Sequence, residues 1–156
     1  MKRFALVLTA LALAGPLITP TLAAAAKPAI YTPALNHVAV GGYDTVAYFT
    51  VGKPVRGSDA FQTDWNGATW KFSSAANLAK FKANPKAYAP QFGGHCAWAA
   101  SQGRLAGPDP TIFHIVGGKL YLNCSKDADA KWLADVPGNI AKGEAFWEAH
   151  EYGAEP

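Results

Sequence analysis

Phe61-Gln62-Thr63-Asp64-Trp65-Asn66-Gly67-Ala68-Thr69-Trp70-Lys71-Phe72 decides the fold class. Asn66-Gly67 suits a two-residue hairpin loop, because both positions of that turn take positive φ. The arm after it alternates Ala68, Trp70 and Phe72 with Thr69 and Lys71, so one face is apolar and the other polar. Ser73 or Ser74 can then cap a helix over residues 75–83, with Leu78 and Phe81 three apart on one side. Asn84-Pro85 ends that helix, and Pro85 can open another short turn containing Tyr88.

Toward the C-terminus, Thr111 to Val116 and Lys119 to Asn123 flank Gly117-Gly118, a second two-residue loop. Its register places Phe113, Ile115, Leu120 and Leu122 on the core face, with His114 opposite Tyr121 on a more polar side. The same count puts Cys124 on the core face. Ser125 can cap a helix with Asp127 and Asp129 in its first turn, where acidic groups suit the helix dipole, and with Trp132 and Leu133 buried. After Pro137-Gly138, residues 139–151 place Ile140, Ala141, Glu144 and Trp147 at helical spacings. Toward the N-terminus, Gly41-Gly42-Tyr43-Asp44 reads as a turn before one helical turn at residues 45–49, and Val38 to Val40 as a short edge strand. No internal repeat of useful length is evident. Two β-hairpins interleaved with short helices make a small, single α+β domain.

The chain has 156 residues, half of them apolar and 16% charged, which suits one compact domain. Lys2 and Arg3 precede an apolar run to Ala26 that Pro16 and Pro20 interrupt, so residues 1–26 read as a secretory signal peptide rather than a membrane anchor. Their removal takes away two of the 14 basic residues and leaves 130 residues with a net charge of +1. That balance argues against nucleic acid or an anionic membrane as partner. Residues 27–37 read as an extended leader on the surface and residues 38–152 as the domain, with no transmembrane segment after cleavage. The expected address is the bacterial periplasm, or outside the cell, where a disulfide between Cys96 and Cys124 can persist.

Asn66-Gly67-Ala68-Thr69-Trp70-Lys71-Phe72-Ser73-Ser74, followed by Phe81 and Asn84-Pro85-Lys86-Ala87-Tyr88, resembles the YHS domain. The likeness extends through residues 41–49, through Gly93-Gly94-His95-Cys96-Ala97-Trp98-Ala99 and through residues 118–123, as in exported single-domain bacterial members. The resemblance implies a metal role, since related short domains place cysteines on such hairpins. Here Ala47-Tyr48 stands where metal-binding versions have Cys-Gly, no cysteine precedes Ser73, and Asn77 replaces another. The first hairpin therefore has no thiolates for a soft metal.

The remaining chemistry centres on Cys96. A helix over residues 95–102 behind Gly93-Gly94 would put Cys96 in its first turn, where the dipole favours a thiolate. His95, Cys96 and Cys124 are the candidate metal ligands, and sulfur with imidazole suits copper or zinc. Tyr43, Asp44 and Trp98 are candidates for binding a small ligand, although turn capping also accounts for Asp44. Trp70, Trp98, Tyr43 and Tyr48 could line a pocket for a flat or apolar group. There is no Cys-x-x-Cys or His-x-x-x-His, so a self-contained metal motif is absent, and no Gly-x-Ser-x-Gly or phosphate-binding loop points to catalysis. Three readings follow: an exported binding module with a soft metal or small ligand near Cys96; a structural or partner-binding domain stapled by a Cys96–Cys124 disulfide; and a thiol-dependent redox protein or enzyme using Cys96.

Overall fold

A computed structural model describes residues 30–33 and 36–150; the signal peptide expected at residues 1–26 lies outside the described residues. The chain folds as the α+β domain read from the sequence, with two antiparallel hairpins and six α-helices among the described residues. A 3-10 turn at Ala39–Gly42 leads into α1 (Thr45–Thr50), β1 (Ser58–Trp65), β2 (Ala68–Phe72), α2 (Ala75–Ala83) and α3 (Pro85–Tyr88). A second 3-10 turn at Gln91–Gly94 leads into α4 (Ala97–Ser101), β3 (Phe113–Val116), β4 (Lys119–Leu122), α5 (Lys126–Leu133) and α6 (Val136–Ala149).

That order is one sequence of elements read twice, which corrects the expectation of no internal repeat. The match reaches the backbone. Val40, Gly41 and Gly42 have φ of 51°, 58° and 82°, and Phe92, Gly93 and Gly94 have 54°, 59° and 82°. Ser74 caps α2 by accepting from the Asn77 N–H, as Ser125 caps α5 by accepting from the Ala128 N–H. Asn84 caps α3 and Asp135 caps α6 in the same way. Phe81 on α2 and Trp132 on α5 are both fully buried. Phe81 packs on Trp70 with ring centroids 4.9 Å apart, and Trp132 packs on Tyr121 at 5.5 Å.

Each hairpin forms a two-stranded sheet of its own. Asn66 and Gly67 have φ of 50° and 75°, the double left-handed turn that the dipeptide supplies at low cost. Pairing runs from Trp65 opposite Ala68 down to Gln62 opposite Lys71, with an irregularity before Ser58. The second hairpin has the expected register, Val116 opposite Lys119 and Phe113 opposite Leu122.

Several burial expectations are corrected. Leu120 and Leu122 are buried and Phe113 packs beside them in the main core, but Ile115 is 40% exposed because the hairpin tip runs past the core. The side expected to be more polar holds Tyr121, buried against Trp132, Phe92 and Ala100, since α5 and α6 cover it. Leu133 is 47% exposed, with Trp132 filling the contact alone. Val38 makes a single bridge to Thr69 rather than a strand. Pro137 and Gly138 lie within the first turn of α6, where a proline without its N–H is tolerated. Ile30, in the expected surface leader, is buried in the core, and the Tyr31 N–H donates to the Gly93 carbonyl at 2.8 Å.

Tyr48 lies in the main core, its hydroxyl donating to the Pro110 carbonyl at 2.7 Å. Burial raises the pKa of Tyr48, and likewise that of Tyr121. A tyrosine whose folded pKa is raised contributes stability that is complete below the unfolded value, about 10, and is lost as pH rises beyond it. Near-ultraviolet titration should therefore show two phenols that ionise above the ordinary tyrosine range, Tyr48 the later of them. Tyr48→Phe should move the alkaline midpoint of unfolding upward relative to the midpoint in urea at neutral pH. An unmoved alkaline midpoint would contradict this account.

Candidate functional site

The second Gly-Gly turn sets the site. Its positive-φ residues bring the chain back so that the Cys96 N–H donates to the Ala106 carbonyl at 2.9 Å and Cys96 bridges Leu122 on β4. The following helix is only residues 97–101, with Cys96 at its N-cap rather than in its first turn as the sequence suggested. Cys96 does not cap that helix with its own side chain. Asn123, wholly buried, does so from across the fold: its Oδ1 accepts from the Trp98 N–H at 3.0 Å and lies 3.9 Å from Cys96 Sγ.

The two cysteines are brought together. The Cys124 N–H donates to Cys96 Sγ at 3.1 Å, and both cysteines pack with Ala99 and Ala128. Both are free thiols, Cys96 fully buried and Cys124 half-buried. Burial, followed by the neighbouring Cys124 thiol, pushes the Cys96 thiol up to about 11. This reverses the expectation of a dipole-stabilised thiolate: one short helical turn does not offset removal from water.

His95, next in sequence, turns away from the sulfurs. Its Nδ1 lies 2.9 Å from the Phe92 carbonyl, and its ring packs against Tyr31 and Trp147. Burial holds the imidazole below its ordinary pKa. Among the described residues, no group of three or more histidine, cysteine, aspartate or glutamate side chains is arranged to hold a metal ion.

Tyr43, Asp44 and Trp98 are not one cluster. The Arg56 guanidinium lies 4.2 Å over the Tyr43 ring. Asp44 Oδ1 caps α1 through the Val46 and Ala47 N–H groups, and Oδ2 accepts from the Ser73 N–H and hydroxyl and from Asn77 Nδ2. Trp98 is half-buried against both smaller clusters. Of the tryptophan and tyrosine pocket expected from the sequence, Trp70 and Tyr48 are sealed in the core.

The internal repeat gives the sulfur pair its meaning. Cys96 stands where Asp44 stands in the first half, and Cys124 where Ser73 stands, each just before the serine cap of the following helix. The same backbone N–H that Ser73 gives to Asp44 is given by Cys124 to Cys96. One node of the fold is thus a carboxylate with hydroxyl and amide donors, and its counterpart is a thiol that takes the backbone amide of a second cysteine. The sequence also hid a half-buried chain linking this node to His114. Asn123 Nδ2 donates to Asp129 Oδ1, which lies 2.8 Å from His114 Nε2, while the His114 ring stacks on Trp132. The Ser125 spacing could have hinted at Asp129; nothing local links it to His114.

The YHS domain family pattern matches residues 46–92, and this match supports the family read from the sequence. The span runs from within α1 to the second 3-10 turn, and so takes in most of the first half and ends before Cys96. No curated protein and no solved structure matches the chain.

Proposed function

We propose that the protein is an exported, non-enzymatic YHS-type binding module whose Cys96–Cys124 pair takes a soft metal ion. The observation behind this reading is the Cys124 N–H contact to Cys96 Sγ, which brings the second cysteine to the first one's sulfur. YHS domains are often linked to metal handling, which supports the same choice. Two sulfurs without a third ligand suit Cu(I), which accepts soft, low-coordinate sites, better than Zn(II), which asks for four donors. The basic start and interrupted apolar run of residues 1–26 support export. The buried, high-pKa thiol and the averted rings of His95 and His114 disfavour a nucleophilic role for Cys96.

A second reading, a structural or partner-binding domain stapled by a Cys96–Cys124 disulfide, is favoured by the complete burial of Cys96 and the oxidising compartment. One experiment separates them. The reduced protein is titrated with Cu(I) against a coloured chelator, and thiols are counted before and after denaturation. The metal reading expects one Cu(I) per chain, protection of both thiols, and loss of uptake in Cys96→Ala with the fold retained; uptake that survives this change rules Cys96 out as a ligand. The staple expects two unreactive sulfurs in native and denatured protein alike, recovered by reductant. In that case Cys96→Ser and Cys124→Ser should each cost about 3–4 kcal/mol, as expected for the loop they close, and the double variant no more. Unequal losses in urea denaturation would argue against the bond.

A further inference from the structure

An open cleft of about 370 Å³ lies at the seam of the two halves, apart from the sulfur node. Trp65 and Asn66 come from the first hairpin, Lys86 from α3, Gln91 and Phe92 from the connecting turn, and Trp147 from α6. Junctions of this kind are where small-molecule sites commonly form, and the volume fits a ligand of one or two rings.

Three features define what would fit. Both indoles are half-buried and held by neighbouring rings: Trp65 by Trp70 and Phe81 at 5.6 and 5.8 Å, Trp147 by His95 and Phe92 at 5.8 and 6.1 Å. Aromatic walls already held in place offer stacking area with little ordering cost on binding. Lys86, on the exposed face of α3, is the one charged side chain among the lining residues, and Asn66 and Gln91 add neutral amides. The adjoining smaller cavity, which shares Gln91, Phe92 and Trp147, is bordered by Glu144 and Glu148 with Lys119 paired to Glu144. Its acidic groups repel an anion, so the negative end of a ligand belongs at Lys86.

We propose that this cleft binds a small planar aromatic carboxylate, its ring against Trp65 and Trp147 and its carboxylate toward Lys86. The test uses 2-naphthoate as probe and follows the indole N–H resonances of the intact protein by NMR. Saturable shifts confined to Trp65 and Trp147 are expected, with binding weakened about tenfold in Lys86→Glu and for the neutral analogue 2-naphthamide, the loss of one charge-assisted contact. Lys86 is exposed, so the variant should keep its fold, checked by the unchanged resonances of Trp70 and Trp132. Absence of saturation, shifts spread over all five indoles, or equal affinity of Lys86→Glu and wild type would overturn the proposal. The cleft contains neither cysteine, and a parallel titration of Cys96→Ala should give the wild-type result whatever the outcome for Cu(I).

Discussion

Asp44→Ala should lower stability by about 3–5 kcal/mol, the range seen when a buried charged network loses its central partner. The carboxylate is fully buried and receives five donors. Oδ1 ends α1 by accepting from the Val46 N–H at 2.9 Å and the Ala47 N–H at 3.2 Å. Oδ2 reaches across the fold, taking the Ser73 N–H at 2.9 Å, the Ser73 hydroxyl at 2.6 Å and Asn77 Nδ2 at 2.7 Å. Alanine leaves these donors without a partner in a place water does not fill, and each such group is costly. Asp44→Asn is the sharper variant, since its amide would point a donor at three donors; it should lose nearly as much. Ser73→Ala removes the hydroxyl bond to Asp44 together with a long contact from Asn77 Nδ2 at 3.5 Å, and should cost about 1.5–3 kcal/mol, the usual worth of a bond to a charged group. Urea denaturation followed by tryptophan fluorescence measures all three. An Asp44→Ala loss under 1 kcal/mol would show that the node is held by its surroundings instead.

The second large effect is expected at Phe81, where alanine should cost about 3–5 kcal/mol, the cost of emptying a buried aromatic site. Its ring meets Trp70 and Phe72 at 4.9 Å and Trp65, edge-on, at 5.8 Å. It joins α2 to both arms of the first hairpin, which among the described residues is a sheet of two strands. Leu133→Ala is the matched control: an apolar side chain on a helix, but 47% exposed, so its change should stay within about 0.5 kcal/mol. Comparable losses at the two positions would mean that α2 is not anchored through its aromatic contact.

What the sequence disclosed was local. Asn66-Gly67 and Gly117-Gly118 announced their turns because only a few residue types tolerate two successive positive φ values, and the turns then fixed both registers. Ser74 and Ser125 announced helix starts because a side-chain oxygen must replace a missing backbone partner. What stayed hidden depends on residues distant in the chain. Tyr121 lies on the face expected to be polar, yet α5 and α6 cover it, so alternation along β4 misreports which side is wet. The thiol pair was foreseen as two residues, but not as the counterpart of Asp44 and Ser73. The halves share backbone shape and cap positions, and in the stretch leading to each N-cap only Gly41-Gly42 and Gly93-Gly94 match in identity. The candidate set of Tyr43, Asp44 and Trp98 came from sequence proximity to glycine turns, and the fold divides them between its two halves.

The repeated architecture also distributes the chromophores unevenly. Trp65 and Trp70 belong to the amino-terminal half, while Trp98, Trp132 and Trp147 belong to the other. Emission from versions stripped of one set or the other would reveal whether the halves melt as a single cooperative unit or in succession. Should they part company, a weakened carboxylate node would dim one set of signals first, and a disrupted cysteine node the other.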